Sequence, residues 1–133
     1  MDVKALIVDP IANMPVVILR DAEDKSFVPI WVGVFEANAI ALQLEGVSTP
    51  RPLTHDLLKA TISLLGARVD QIVITRLHEN TFYAEIHLNA GERTIVVDSR
   101  PSDAIALALR TFSPVFVEED VLEKSRAQDA SEE

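Results

Sequence analysis

The chain of 133 residues has 48% hydrophobic and 25% charged residues, the balance of a globular domain rather than of a disordered or fibrous protein. Its length predicts one domain, or two small halves that share a core. The absence of cysteine excludes a disulfide scaffold, a cysteine nucleophile and thiolate metal sites, and it is consistent with a reducing cytoplasm.

The net charge of −9 is distributed unevenly along the chain. Residues 118–133 hold seven acids and two bases, so this terminal segment carries more than half of the excess. A protein that binds nucleic acid through its overall charge is basic, because Lys and Arg neutralise phosphates. Nucleic-acid binding would therefore need a local basic site or a metal ion.

The start of the chain, MDVKALIVD, lacks the basic flank and the long apolar region of a signal peptide. The longest apolar run, at residues 28–35, is too short for a transmembrane helix. We therefore expect a cytoplasmic protein without membrane contact.

In the first half of the chain, short runs of β-branched and aromatic residues predict three strands. These strands cover residues 3–8, 16–20 and 27–32, with a polar turn at residues 21–24. Two helices follow at residues 36–44 and 54–65, each with a glycine after its end. Because only a turn separates the second and third strands, we expect them to pair antiparallel.

The second half repeats this order of elements. Strands are predicted at residues 68–77, 81–88 and 94–98, with a turn at residues 89–91, and helices at residues 101–110 and 119–126. The last residues, 128–133, are typical of a frayed polar tail.

An offset of 65 residues aligns the two halves without a gap, most clearly AIALQL with AIALAL. We expect an internal duplication with copies at about residues 3–66 and 68–126, each made of a strand, a hairpin and two helices. The predicted class is α+β, a single domain over residues 1–120 with a mainly antiparallel sheet, followed by an acidic C-terminal helix and tail at residues 121–133. Coincidence among apolar helices is the alternative, since identity elsewhere is low.

Polar residues interrupt the pattern at three junctions that lead into helices. The junctions are WVGVFE at residues 31–36, TPRPLTHD at residues 49–56 and DSRPSD at residues 98–103. Prolines on both sides of Arg51 hold the backbone extended, which lowers the entropy lost when its guanidinium binds a ligand. These junctions are the candidate functional segments.

The strings PIWVGVFEANAIAL, PRPLTHDLL, TFYAEIHL and VVDSRPSDAIALALR resemble the bifunctional nuclease family of bacteria and plants, long catalogued as a domain of unknown function. The resemblance covers roughly residues 1–120 in the family's own order. It implies a degradative nuclease that hydrolyses phosphodiester bonds of both DNA and RNA. Plant members carry a C-terminal extension for partner binding, whereas only the acidic tail follows here.

A nuclease must activate water, neutralise the attacked phosphate and stabilise the leaving oxygen, and a divalent cation on carboxylates serves all three needs. Asp98 and Asp103 lie five residues apart across the turn into a helix, and Glu36 opens the related helix of the first half. We expect these three carboxylates to hold Mg²⁺ or Mn²⁺.

The neighbouring residues are assigned to phosphate contacts and proton transfer. Arg51 and Arg100 are expected to bind phosphate oxygens as forks, with Ser102 beside them. His55 would act as general base or acid, and Asp56 would orient it.

Each of these residues also has a structural interpretation. Ser102, Asp103, Asp56 and Glu36 lie in first turns of predicted helices, where they could serve only as caps or favour the helix dipole. Arg51 could pair with an acid of the other half.

Two other functions remain open. One is a non-catalytic regulatory or ligand-binding module that uses Arg51 and Arg100 as an anion site. The other is a structural oligomer: short strand pairs in a small domain leave edges or an apolar face to cover, so we expect a homodimer with two-fold symmetry. Trp31, Phe82 and Tyr83 are then core or interface residues, although an exposed aromatic side chain could stack on a base.

Overall fold

The first half of the chain folds in the predicted order of three strands and two helices. The structure, a computed structural model, describes residues 1–9, 14–21 and 26–132. The elements of the first half are β1 (Asp2–Asp9), β2 (Met14–Arg20), β3 (Phe27–Trp31), α1 (Val34–Leu44) and α2 (Thr54–Leu64). Most of the turn predicted at residues 21–24 lies outside the described residues.

The three strands form one antiparallel sheet in the order β1-β2-β3, which confirms the predicted hairpin. Alternation along β3 buries Val28 and Ile30 and leaves Phe27 and Trp31 partly exposed. Val28 pairs with Leu19 of β2, and neither side chain has any exposed surface. This face of the sheet therefore belongs to the core.

The second half forms a second sheet. Its elements are β4 (Arg68–His78), β5 (Thr81–Ala90), β6 (Arg93–Ser99), α3 (Pro101–Thr111), β7 (Val115–Val117) and α4 (Glu119–Glu132). β4, β5 and β6 pair antiparallel, and β7 joins β4 in parallel, giving the order β6-β5-β4-β7. The sequence pattern does not predict β7, because three residues are too few to show a period.

The ends of two elements differ from the prediction. β5 continues to Ala90, so the turn into β6 lies at Gly91 and Glu92. Gly91 has a φ of 78°, which suits glycine, and its N–H donates to the Asn89 side chain at 3.0 Å. The backbone of α4 runs to Glu132 and so includes most of the residues predicted as a tail.

The α+β class with mainly antiparallel sheets in one domain is confirmed. Both halves have three antiparallel strands followed by two helices, and β7 has no counterpart in the described part of the first half. The duplication itself stays a prediction, because a shared order of elements does not establish a common origin.

One hydrophobic core joins the two halves, and α3 lies at its centre. Residues 104–108 of α3 are each at most 2% exposed. A helix that is apolar on all sides is buried on all sides, and α3 packs against α1, α2, β4 and β5. Among the described residues, no helix combines the length and the apolar character needed to cross a membrane.

Arg110, near the end of α3, is the exception to this apolar surface and is only 4% exposed. Its Nε donates to Asp56 of α2 at 2.7 Å, its Nη2 to the carbonyl of Ala39 in α1 at 3.0 Å, and its Nη1 to the carbonyl of Ala106 at 2.9 Å. One side chain therefore joins three helices.

Replacing this arginine should destabilise the fold. Arg110→Met keeps an apolar stem but removes one donor to the Asp56 carboxylate and the side-chain donor to the Ala39 carbonyl. Because the Asp56 side chain is 35% exposed, water replaces part of the lost bonding, so the cost should be about 1–2 kcal/mol, which denaturant unfolding would measure as a lower midpoint. In the matched variant Arg68→Met, the exposed pair with Asp70 is lost, and the change should be below about 0.5 kcal/mol. Equal losses in both variants would contradict the role of Arg110.

Candidate functional site

The candidate site lies where α1, α2 and α3 begin. Gly33 after β3 and Arg100 after β6 are the N-cap residues of α1 and α3, both in extended conformation. Three residues later, Glu36 and Asp103 stand in the first turns of these helices. His55 is the second residue of α2 and completes the site.

Asp103 is the centre of the site because both of its carboxylate oxygens are engaged. Oδ1 lies 2.9 Å from Nε2 of His55, and Oδ2 accepts a hydrogen bond from Nε of Arg100 at 2.9 Å. Burial opposes ionisation, but the hydrogen bonds from Arg100 and His55 and their charges outweigh it, so the pKa of Asp103 is below its ordinary value. Asp103 is therefore ionised at neutral pH.

Arg100 connects Asp103 to Glu36. Its Nη2 lies 2.7 Å from Oε1 of Glu36, while the side chain of Arg100 stays 67% exposed. The hydrogen bond to Asp103, with the charges of Asp103 and Glu36, raises the pKa of Arg100 further above its ordinary value. These two contacts use Nε and Nη2 and not Nη1. The guanidinium is therefore held along one edge while most of the side chain stays exposed.

Gly33 gives the Glu36 carboxylate the space that it occupies. A Cβ added at Gly33 would overlap with Oε2 of Glu36. Because the φ of Gly33 is −69°, backbone strain is not the reason for glycine here. The reason is the close approach of the carboxylate, which any larger residue would displace from its place beside Arg100.

His55 is the buried residue of α2, at 7% exposure. An ionised carboxylate can only accept, so Nε2 carries the proton that is shared with Asp103. In the neutral ring Nδ1 then holds a lone pair, and within the described residues this buried atom has no hydrogen-bond partner. A buried imidazole with one nitrogen fixed and one unpaired is a candidate proton acceptor.

Two pockets share Arg100 in their walls. The Phe35 pocket, of about 310 Å³, includes Phe35, Glu36, Asn38, His55, Arg100 and Asp103. The Trp31 pocket, of about 270 Å³, includes Trp31, Gly33, Asn80, Phe82, Arg100 and Ser102.

Ser102 is 6% exposed and is not a cap, because α3 begins at Pro101 after the N-cap residue Arg100. Ser102 lines the Trp31 pocket with Arg100, and its role in substrate binding stays a prediction.

Asp56 does not have its predicted partner. It was expected to orient His55, but its Oδ1 accepts from Arg110 and its Oδ2 accepts the N–H of Leu53 at 3.0 Å. Successive helix residues point about 100° apart, so His55 and Asp56 face different neighbours. Burial opposes ionisation of Asp56, but the Leu53 and Arg110 contacts outweigh it and hold its pKa below the ordinary value. Asp56 is both a helix cap and an ion-pair partner, and Asp103 takes the position beside His55.

Arg51 and Asp98 also lie away from this cluster. Arg51 is exposed and lines neither pocket, and its carbonyl accepts a hydrogen bond from Thr49 at 2.6 Å. Asp98 is exposed on β6 opposite Glu85 of β5. Of the three expected metal ligands, the structure brings Glu36 and Asp103 together through Arg100 and leaves Asp98 apart. Across the described residues, no group of three or more His, Asp or Glu is placed to hold a metal ion.

Two residues of this region are not predicted from the sequence. Arg110 appears as one charge at the end of an apolar helix, and that position inside the pattern AIALALR is a signal of a buried ion pair. Phe35 appears as part of the apolar string WVGVF, yet it is 89% exposed at the Phe35 pocket. Phe35 stands directly before the charged Glu36 in the first turn of α1, and this position is the signal that predicts an exposed side chain.

The comparisons with known proteins show the family to which the chain is related. Residues 17–130 match the family described as the bifunctional nuclease domain. An uncharacterized protein of Mycobacterium tuberculosis is 48% identical over 110 residues, which are 83% of this chain and 65% of that protein. All the residues of the cluster fall inside the matched segment.

Plant proteins are more distant relatives. Bifunctional nuclease 1 and Bifunctional nuclease 2 of Oryza sativa subsp. japonica are 30% and 32% identical over 105 and 111 residues. These segments are 75% and 80% of this chain but 32% and 34% of the plant proteins. The chain thus spans about two thirds of the mycobacterial relative and about one third of the plant relatives.

The lowered pKa of Asp103 makes its contribution to stability pH-dependent. The unfolded chain binds this proton more readily, so the contribution is full above the ordinary Asp pKa of about 3.9 and is lost as the pH falls through the lower folded value. The difference in free energy of unfolding between wild type and Asp103→Asn should be constant near neutral pH and should shrink below about pH 4.

Urea unfolding over a pH series would measure this difference. Asp70→Asn, which removes a carboxylate from an exposed pair with Arg68, serves as the control and should show a small change throughout. A difference for Asp103→Asn that does not vary with pH would contradict the ion-pair role.

Proposed function

The chain belongs to the bifunctional nuclease domain family, and on that premise we propose that it hydrolyses phosphodiester bonds of DNA and RNA at the cluster of His55, Asp103, Arg100 and Glu36. The observation that carries the proposal is the continuous series of hydrogen bonds from His55 through Asp103 and Arg100 to Glu36 along the pocket walls. The cytoplasmic location is part of the proposal and rests on the absence of cysteine.

Arg100 is the group that would bind the scissile phosphate. Its raised pKa keeps it charged, and its Nη1 is available to a phosphate oxygen while Nε and Nη2 stay bound to Asp103 and Glu36. A guanidinium fixed in this way loses little side-chain entropy on binding. As charge develops on the phosphate, a positioned donor stabilises the transition state more than the ground state.

His55 and Asp103 would carry the proton transfer. Asp103 fixes the proton of the ring on Nε2, which leaves the lone pair on Nδ1 for a proton from water. Because Nδ1 is buried, the substrate must displace part of the pocket wall before this nitrogen can act. Catalytic hydrogen bonds are often incomplete in a free enzyme and form only when the substrate is bound. The contact between Nδ1 of His55 and the attacking water would form in the same way.

Two carboxylates are proposed as the ligands of the divalent cation. Mg²⁺ is commonly held by one or two carboxylates together with substrate phosphates, so Glu36 and Asp103 form a sufficient protein set, whether the ion is Mg²⁺ or Mn²⁺. Bound there, it would neutralise phosphate charge and lower the pKa of a water molecule. Because the Arg100 guanidinium now contacts both carboxylates, a cation would have to replace it at one of them.

A non-catalytic module that binds a small anion is the second candidate. The small volumes of the two pockets, about 270 and 310 Å³, favour it because they suit a fragment-sized ligand. In this case Arg100 alone would bind the anion, since Arg51 lines neither pocket. The absence of any cleavage by a protein that still binds phosphate would favour this function.

Asp103→Asn should lower cleavage of both DNA and RNA by at least about 100-fold, because an amide has no negative charge and can accept from only one of His55 and Arg100 through its oxygen. EDTA should abolish the activity of the wild type, and Mg²⁺ or Mn²⁺ should restore it. Both effects are measured by release of a fluorophore from labelled oligonucleotides.

The matched control is Asp70→Asn, purified in the same way, which should keep the wild-type rate. If Asp103→Asn and wild type cleave equally, the activity comes from a contaminant or from another site. Asp98→Asn tests the third predicted ligand. If this variant keeps the wild-type cleavage rate, Asp98 is not a ligand and the cation is held by Glu36 and Asp103. If the variant loses activity, all three carboxylates are ligands as the sequence predicts.

A two-fold dimer formed through α2 is proposed as the assembly. Leu57, Leu64 and Leu65 are 59%, 87% and 80% exposed, and Ala60 and Thr61 lie between them on the helix. The spacing of 57, 60, 61 and 64 forms one apolar stripe, and small central residues let two helices approach closely. Such a stripe is rare on a monomer surface.

The mass in solution, measured by light scattering, should be twice that of the chain. Leu64→Glu should give the mass of the monomer, because a charge at the end of the stripe would be buried in the dimer without a partner. Leu44→Glu, at the end of α1, should leave the dimer unchanged. A wild-type mass of a single chain would rule out this assembly.

A further inference from the structure

Phe35 has an exposure that packing does not explain. The phenyl ring is 89% exposed, although it stands in the first turn of α1 between the core strand β3 and the acidic Glu36. It forms part of the Phe35 pocket together with His55 and Arg100. An aromatic side chain left in water at the edge of a charged pocket is a surface for a flat ligand.

A second aromatic side chain lines the neighbouring pocket. Trp31 is 44% exposed and forms the Trp31 pocket together with Phe82 and Arg100. Arg100 is in the walls of both pockets. One cation is therefore shared by a pocket that contains Phe35 and a pocket that contains Trp31.

We propose that this surface selects unpaired, single-stranded nucleic acid as the substrate, with one base on Phe35, the next base on Trp31 and the phosphate between them at Arg100. The inference rests on the proposed nuclease function and adds the class of strand that the site accepts. A base offers its face to a protein ring only when it is not stacked inside a duplex.

The same arrangement accounts for one site acting on two kinds of sugar. Stacking contacts the base and the guanidinium contacts the phosphate, so neither contact depends on the 2′-hydroxyl that distinguishes RNA from DNA.

Charge also favours stacking over backbone contacts. Among the described residues, Arg100 is the only Lys or Arg in either pocket wall, and Glu36 and Asp103 offset its charge. For a single strand, the slope of log K against log salt is about −0.7 for each phosphate neutralised, so a slope close to −0.7 is expected. A duplex-binding basic surface would give a several-fold steeper slope.

Binding would be measured by fluorescence anisotropy in EDTA with three labelled probes: a dT hexamer, an abasic phosphodiester hexamer of equal charge, and a DNA hairpin whose stem stays paired at the assay temperature. Wild type should bind dT at least about fivefold more tightly than the other two. Because Trp31 is the single tryptophan of the chain, its fluorescence should be quenched by dT and not by the abasic strand. Gels run after each titration check that the probes are intact.

Variants test the ring directly. Phe35→Ala should weaken dT binding by at least about fivefold and leave abasic binding unchanged, whereas Phe35→Trp should keep the wild-type affinity. The matched control is Phe112→Ala, because Phe112 is 90% exposed but lines neither pocket. Equal losses in the two alanine variants, or equal affinity for the abasic and dT hexamers, would overturn the inference.

Two further outcomes separate this inference from the nuclease function. If wild type cleaves duplex and single strands at equal rates, the nuclease function stands and strand selection is wrong. If dT binds as described but no strand is cleaved, strand selection stands and the nuclease function is wrong. A change of solution mass in Phe35→Ala would overturn the inference in favour of a second copy of the chain covering the ring.

Discussion

The position of α2 depends on two polar contacts with α3, His55 with Asp103 and Asp56 with Arg110. Residues 103 and 110 are seven apart, which is two turns, so they lie on one face of α3. His55 is the buried residue of α2, and the leucines of that helix face outward. Apolar packing contributes little to how α2 sits, because Ile62 packs against the core but the leucines of the helix do not. Two directional contacts define both its depth and its rotation.

The same contacts make the site and the fold hard to separate. Asp103 holds His55 and Arg100, so a change there alters the docking of α2 as well as the pocket. Arg110 lies two turns from Asp103 along α3, and the Asp56 side chain is directed to Arg110 and not into the Phe35 pocket. The stability of the helix pair is therefore shared between a pair near the pocket and a pair away from it, and only the first is available to chemistry.

The sequence predicts local features well and long-range pairings poorly, for a physical reason. Strand and helix positions follow from period and composition over a few residues, and the junctions with Glu36 and Asp103 follow from the starts of helices. The pairing of His55 with Asp103 and of Asp56 with Arg110 spans 48 and 54 residues. Local pattern cannot rank such pairs, so Asp56 was assigned to its neighbour His55. β7 is set by its partner β4 in the same way, since its three residues have no pattern of their own.

The charge of the site favours recognition at short range. Arg100 is balanced by two carboxylates, and the whole chain has a net charge of −9, so no positive field extends into solvent to attract a polyanion. Affinity must then come from contacts that act at van der Waals and hydrogen-bond distance, namely aromatic rings and the free edge of one guanidinium. A paired duplex offers few such contacts, because its bases are stacked and its phosphates are bound mainly by several Lys and Arg side chains. An unpaired strand offers both kinds of contact at each step, so the proposed selection of single strands is consistent with an acidic domain in which one arginine lines two pockets that contain aromatic rings.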